Sequence, residues 1–144
     1  MLKQITVFLE NKKGRMEGVT GCLASERINL HALSIADTTD FGILRLITGE
    51  PEKSAAVLKE KGYMVKTNNV VAVAVGHNPG SLHEIITKLR ELDISIEYMY
   101  SLTSRHKKHD VVVVFRFDNQ DGIEEKLSKS GITVLGDGLL EELG

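Results

Sequence analysis

One supersecondary unit is written twice in this chain, and that repeat limits the fold more than any other feature. A shift of 66 positions lays Asn11-Lys12-Lys13-Gly14-Arg15-Met16 on His77-Asn78-Pro79-Gly80-Ser81-Leu82. The same shift lays Glu26-Arg27-Ile28-Asn29-Leu30 on Leu92-Asp93-Ile94-Ser95-Ile96. Farther along the shift is 69, so Lys61-Gly62-Tyr63-Met64-Val65 meets Ser130-Gly131-Ile132-Thr133-Val134. The three extra residues fall in the basic run Arg105-His106-Lys107-Lys108-His109. Few identities survive, but the order of apolar runs, glycines and turns does. A repeat near this period implies two stacked structural units and paired sites.

Periodicity names the elements of each copy. In Leu2–Glu10, Ile5, Val7 and Leu9 alternate with Thr6 and Glu10 as in a strand, and Asn11–Gly14 is turn chemistry. Met16, Val19 and Leu23 recur at three and four residues, which predicts a helix over Arg15–Arg27. Ile28–Ala36 reads as a strand, Asp37–Asp40 as a hairpin turn and Phe41–Thr48 as a third strand. Pro51 suits the first turn of a second helix that runs to Lys61, with Gly62 as its stop and Tyr63–Lys66 as a short closing strand. The second copy predicts strand Val70–Gly76, helix Pro79–Asp93, strands Ile94–Leu102 and Asp110–Phe117, helix Gln120–Lys129 and strand Ile132–Leu135. Asp137–Leu143 reads as a terminal helical turn or two. The order strand-helix-strand-strand-helix-strand, twice, is an α+β, ferredoxin-like βαββαβ plan: antiparallel sheets with helices on one face. The expected units are residues 1–68 and 69–144, with Asn68-Asn69 as the sole linker.

Composition then removes whole classes of function. A net charge near −2 gives no general pull toward nucleic acid or anionic membrane. The single Cys22 cannot form an internal disulfide, which suits a reducing compartment. No apolar run reaches the length of a membrane span, and no signal-peptide start is present. A soluble, cytoplasmic protein is the expectation.

The strongest candidate site is the loop after the first strand of each copy. Gly14 and Gly80 stand just ahead of a helix, where a glycine permits a tight turn and aims free N–H groups at an anion such as a carboxylate. In each copy the loop, the helix behind it and the opening of the next strand also carry a family likeness. Glu10-Asn11-Lys12-Lys13-Gly14-Arg15-Met16, then Val19, Leu23 and Ile28-Asn29-Leu30, resembles the start of an ACT domain, with its Asn-x-Pro-Gly-x-Leu loop and Asn-Ile pair opening the second strand. The likeness covers both copies up to about residue 136, so the chain resembles a tandem ACT protein with no catalytic domain attached. Two departures stand out. Lys13 replaces the family's proline in the first copy, and His77 stands at the position of Asn11 in the second.

The resemblance implies a regulatory module, not an enzyme, with a free amino acid as ligand and no cofactor or metal. By that resemblance the ligand-binding residues are Asn11, Lys12, Lys13, Gly14, Arg15 and Met16 with Ile28, Asn29 and Leu30. In the second copy they are His77, Asn78, Pro79, Gly80, Ser81 and Leu82 with Ile94, Ser95 and Ile96. Each loop would hold its ligand against the second-strand region of the opposite copy. A homodimer is expected, as is a metabolic enzyme partner; a detached regulatory subunit of a biosynthetic enzyme such as acetolactate synthase is the alternative.

Two other classes share the fold plan. RNA-recognition domains need exposed aromatics on the central strands, whereas Phe41–Ile47 is mainly aliphatic. Gly14-Arg15-Met16-Glu17-Gly18-Val19 resembles an acylphosphatase phosphate loop, but Thr20-Gly21-Cys22 stands where a second arginine is needed. Gly18 and Gly21, inside a helix, predict close approach of another backbone or a ligand. The basic run Arg105–His109 reads as a solvated hairpin tip, with a metal shared by His106 and His109 as the alternative. Two further expectations concern the sheets. The edges Ile28–Ala36 and Ile94–Leu102 should pair with each other. Strand alternation should turn Phe8, Leu33, Ile35, Ile43, Ile47, Met99, Val112 and Val114 away from the helices, with Arg45 and Arg116 among them, giving an apolar face for dimerisation.

Overall fold

The structure, a computed structural model, describes residues 1–38, 40–109 and 111–144. The first copy folds as β1 (Leu2–Glu10), α1 (Arg15–Ser25), β2 (Leu30–Asp37), β3 (Phe41–Thr48) and α2 (Pro51–Glu60). It is followed by β4 (Met64–Val75), α3 (Ser81–Glu91), β5 (Ile96–Ser101), β6 (Val111–Phe117), α4 (Ile123–Lys129), β7 (Val134–Leu135) and α5 (Gly138–Leu143). Thr39 of the expected 37–40 turn and Asp110 at the expected start of β6 lie outside the described residues. The chain divides into two compact units, Lys3–Asn68 with Gly144, and Met1–Leu2 with Asn69–Leu143.

In the first unit the strand order is β2-β3-β1-β4, and in the second β7-β4-β6-β5. Each is the order of a ferredoxin-like sheet. The expected linker is absent, because Asn68 and Asn69 lie inside the twelve-residue strand β4. Their polar groups are held by neighbours: Asn68 Oδ1 accepts from the Thr6 hydroxyl at 2.9 Å, and the Asn69 carbonyl accepts from Arg116 and from Gln120, each at 2.8 Å. A strand with partners on both flanks satisfies its backbone without a break, so the boundary between Asn68 and Asn69 falls inside a continuous strand rather than in a loop.

Each unit has its own core. Ile5, Val7, Leu9, Leu44 and Leu46 from the first sheet meet Val19 and Leu23 of α1 and Leu58 of α2. Val71, Val73, Phe115 and Phe117 meet Leu89 of α3 with Ile123 and Leu127 of α4. The helices thus cover one face, as the 3.6-residue spacing of Val19 and Leu23 requires. Both α1 and α3 end with a residue in the left-handed region, Arg27 and Asp93, each at φ 57° and again 66 positions apart. The amides of Ile28 and Ile94 then reach back to the carbonyls of Leu23 and Leu89 at 3.0 and 2.9 Å, which satisfies otherwise orphaned acceptors.

Strand alternation fails at one repeated place. The register of β2 on β3 shifts between Leu30 and Ala32, and that of β5 on β6 between Ile96 and Tyr98. The skipped residues, His31 and Glu97, are themselves 66 apart. One extra residue reverses the facing of everything that follows. Leu33 and Ile35 therefore pair with Leu46 and Leu44, and Met99 with Phe115, on the helix side rather than the opposite one. Ile47, Val112 and Val114 do face away from the helices, but all three are buried. The apolar face expected for dimerisation is thus smaller than alternation suggested. β2 is paired by β3 and β5 by β6, each as a sheet edge, so the ladder expected between these two edges is part of neither unit.

The first of these bulges turns His31 inward, leaving it 2% exposed, and burial holds its imidazole below the ordinary value. A charged imidazole is disfavoured in the fold and free to form in the unfolded chain. The unfolded state therefore binds the proton first, and stability falls as pH drops through about 6.5. Chemical denaturation between pH 7.5 and 5 is expected to show this loss, and His31→Gln is expected to reduce it. An unchanged slope in the variant would assign the pH dependence elsewhere.

Candidate functional site

The two loops have the same construction. Gly14 and Gly80 sit at the helix N-caps in the left-handed region, at φ 86° and 88°, and neither helix has a side-chain cap. In both loops the first helical amide turns back, Arg15 N–H to the Lys12 carbonyl at 3.4 Å and Ser81 N–H to the Asn78 carbonyl at 3.1 Å. The carbonyls of Gly14 and Gly80 open the helices by accepting from Gly18 and Glu84 at 2.9 and 3.0 Å. The amides between them point out of the helix N-terminus, where the dipole favours an anion. Each loop also stands at the mouth of a cavity formed within its own unit.

The first cavity, about 180 Å³, is lined by Phe8, Leu9, Glu10, Arg15, Phe41, Gly62, Tyr63 and Met64. Its polar wall is charged. Glu10 Oε2 lies 3.0 Å from Lys12 Nζ and 3.4 Å from Arg15 Nη2, and the hydrogen bond from Lys12, aided by both cations, holds the Glu10 carboxyl below its usual range. Of the residues expected in this loop, Arg15 alone lines the cavity. Asn11 is turned to the β2–β3 hairpin, where its Nδ2 donates to Asp37 Oδ1 and the Thr38 carbonyl, each at 3.2 Å. Lys13 is exposed, and Met16 packs against the core.

The second cavity is larger, about 520 Å³, and is lined by Val75, Gly76, His77, Asn78, Pro79, Gly80, Leu82, His83, Val111 and Val113. Five of the six loop residues expected here line it. The sixth, Ser81, accepts from the Asn78 amide at 3.3 Å and steadies the turn. Sequence reasoning missed the strand residues of both cavities. Glu10 lies opposite Phe41, and Val75 opposite Val111, so each wall is built across a ladder. Register supplies that pairing, and no local spacing signals it.

The second-strand segments lie elsewhere in their own units. Ile28 is buried in the first core with Leu30 packed against it, while Asn29 Nδ2 donates to the Gly144 carbonyl at 2.6 Å. Ile94, Ser95 and Ile96 line a separate cavity of about 220 Å³ with Ile86, Leu89, Arg90 and Asp93. An eleven-residue helix stands between loop and segment in each unit, about 16 Å at 1.5 Å per residue. Within one unit, loop and segment are therefore not brought together.

Other expectations are corrected. Gly18 makes room not for a backbone but for the Tyr63 hydroxyl, and among the described residues no other segment comes within 4 Å of a Cβ placed at Gly21. His106 in the basic run is not solvated: its side chain is 4% exposed and its ring stacks on His109 with centroids 4.9 Å apart. The Lys108 amide donates to His106 Nδ1 at 3.1 Å, which leaves the ring proton on Nε2, 2.7 Å from Glu142 Oε2. Among the described residues no group of three or more His, Cys, Asp or Glu is arranged to hold a metal. No described helix is long and apolar enough to cross a membrane. On the face away from the helices, Gln4, Thr6, Ile47, Val112 and Val114 are buried, which denies nucleobases the open central strands they need.

The sequence profile of a family described as an ACT domain pair matches residues 1–143. Protein BT0572 from Bacteroides thetaiotaomicron is similar in structure at TM-score 0.89 and 39% identity, over 99% of this chain and 96% of that one. The ligand-free regulatory subunit of aspartate kinase from Thermus thermophilus is similar at TM-score 0.63 and 13% identity, over 90% of each chain. The corresponding subunit from Thermus flavus gives 0.59 and 13%, over 88% of each. At such identities these two share the fold alone. Comparison with curated proteins finds no match.

Proposed function

Because the chain belongs to the family of ACT domain pairs, we propose that it is a regulatory module, without catalysis of its own, whose strand-to-helix loops bind a free amino acid. The observation that carries this reading is the duplicated loop. In both units a left-handed glycine opens an uncapped eleven-residue helix beside a cavity of the same unit. The helix amides suit the ligand's carboxylate. In the first cavity Glu10 suits its ammonium and Arg15 a further acceptor. The partner in this reading is an enzyme of amino-acid metabolism, to which the module transmits ligand occupancy.

Thermal shift with the twenty amino acids tests it. A ligand at one hundred times its dissociation constant adds about 2.7 kcal/mol, which moves Tm by several degrees in a domain of this size. One or a few amino acids are expected to do so. Twenty flat melting curves would end the reading.

The same reading includes a homodimer that covers Leu33 and Ile35. These lie on the helix side of edge strand β2, 42% and 59% exposed. Light scattering at micromolar concentration is expected to give twice the chain mass. Leu33→Glu is expected to shift it toward the monomer, and a wild-type monomer would count against the assembly.

A further inference from the structure

We infer that the cavity of the second repeat selects an amino acid with a large apolar side chain. This inference rests on the ligand-binding reading above and narrows it to one site and one ligand class. Size comes first. Pockets that enclose small molecules typically measure about 300–1,000 Å³ and are mostly apolar with a few polar groups. The second cavity, about 520 Å³, falls in that range, and the first, about 180 Å³, falls below it.

Chemistry divides the two cavities in the same direction. Val75 and Val113 form part of the second cavity's wall while being 6% and 5% exposed, so they are held rigidly by the core behind them. Val111 and Leu82 extend the same apolar surface, and the imidazoles of His77 and His83 stand on the loop and the first turn of α3. A ligand whose α-carboxylate lies at the loop therefore directs its side chain over valines. A charged side chain laid over those valines would lose water without gaining a partner from them. An aliphatic or aromatic side chain gains about fourfold in affinity for each methylene it buries. The first cavity also has apolar lining in Phe8, Leu9, Phe41 and Met64, but the paired charges of Glu10 and Arg15 make up part of its wall, with Lys12 joined to Glu10 beside them.

Calorimetry on the full chain tests this with leucine, phenylalanine, alanine and glutamate as probes. Leucine or phenylalanine is expected to bind at least about tenfold more tightly than alanine or glutamate. Leu82, 39% exposed, can be shortened without opening the core, and Leu82→Ala is expected to weaken the preferred ligand severalfold. Val111→Thr, which keeps the shape and adds a hydroxyl, is expected to weaken it also. Alanine or glutamate binding as tightly as leucine and phenylalanine would overturn the inference and leave the regulatory reading standing. So would tight binding of an apolar amino acid that both substitutions leave unchanged. No heat from leucine or phenylalanine would overturn the inference, and twenty flat melting curves beside it would overturn both.

Discussion

Phe115→Ala is expected to cost about 3–5 kcal/mol of unfolding free energy, the range for emptying a buried aromatic site. Phe115 is fully buried at the centre of the second core and stacks on Phe117 with ring centroids 5.4 Å apart. It also faces Val71 across the β4–β6 ladder and Met99 across the β5–β6 ladder. Both neighbours are tied into strands and cannot collapse far into the void. A domain of ordinary stability has about 5–15 kcal/mol in total, so the variant should be near its folding limit at 37 °C. Urea denaturation measures the loss. A change below about 1 kcal/mol would mean that the core relaxes around the gap or that the packing is different.

The second large effect is expected at Gly18. A Cβ there would overlap the Tyr63 hydroxyl oxygen, while the next atom of that ring, Cζ, lies at an ordinary 3.5 Å. Tyr63 packs half-buried against the first core, and its hydroxyl, fixed to a rigid ring, clears the Cβ only if the whole ring turns. Gly18→Val is expected to cost about 3 kcal/mol through overpacking. The cause is separable by a double-mutant cycle. In a Tyr63→Phe background the overlapping atom is gone, and Gly18→Ala should then gain up to about 1 kcal/mol of helix propensity. Gly21→Ala, whose Cβ would meet no other segment within 4 Å among the described residues, should give that gain in the wild-type chain. Equal effects of alanine at 18 and 21 in the wild type would refute the Tyr63 contact.

Much of this fold is legible in the chain as written. Val19 and Leu23 mark a helical stripe, Gly62 marks the end of α2, and Pro51 marks its start. These signals are local: a turn, a cap and a spacing depend on a few neighbouring residues. The loops at 11–16 and 77–82 belong to the same class, since a left-handed glycine before a helix is required by backbone sterics at that position. What lies beneath each loop is not legible. Phe41 and Val111 reach their cavities only because β3 and β6 pair in a given register with the ends of β1 and β4.

The sequence by itself determined that the chain is a duplicated βαββαβ unit and the order of its helices and strands, because those are set by steric and periodic preferences within a turn or two. The helices α3 and α4 open at Ser81 and Ile123, two and three residues past the expected Pro79 and Gln120. Tertiary structure alone decided the rest. It merged residues 64–75 into one strand across the expected linker. It placed a bulge at His31 and again at Glu97, which turned Leu33, Ile35 and Met99 to the helix side. It explained Gly18 by a tyrosine 45 positions away in sequence, and it made the second cavity larger and more apolar than the first. All four depend on which distant segment donates a hydrogen bond or fills a space. A change of one residue in register reverses every side chain that follows, and no local pattern encodes that choice.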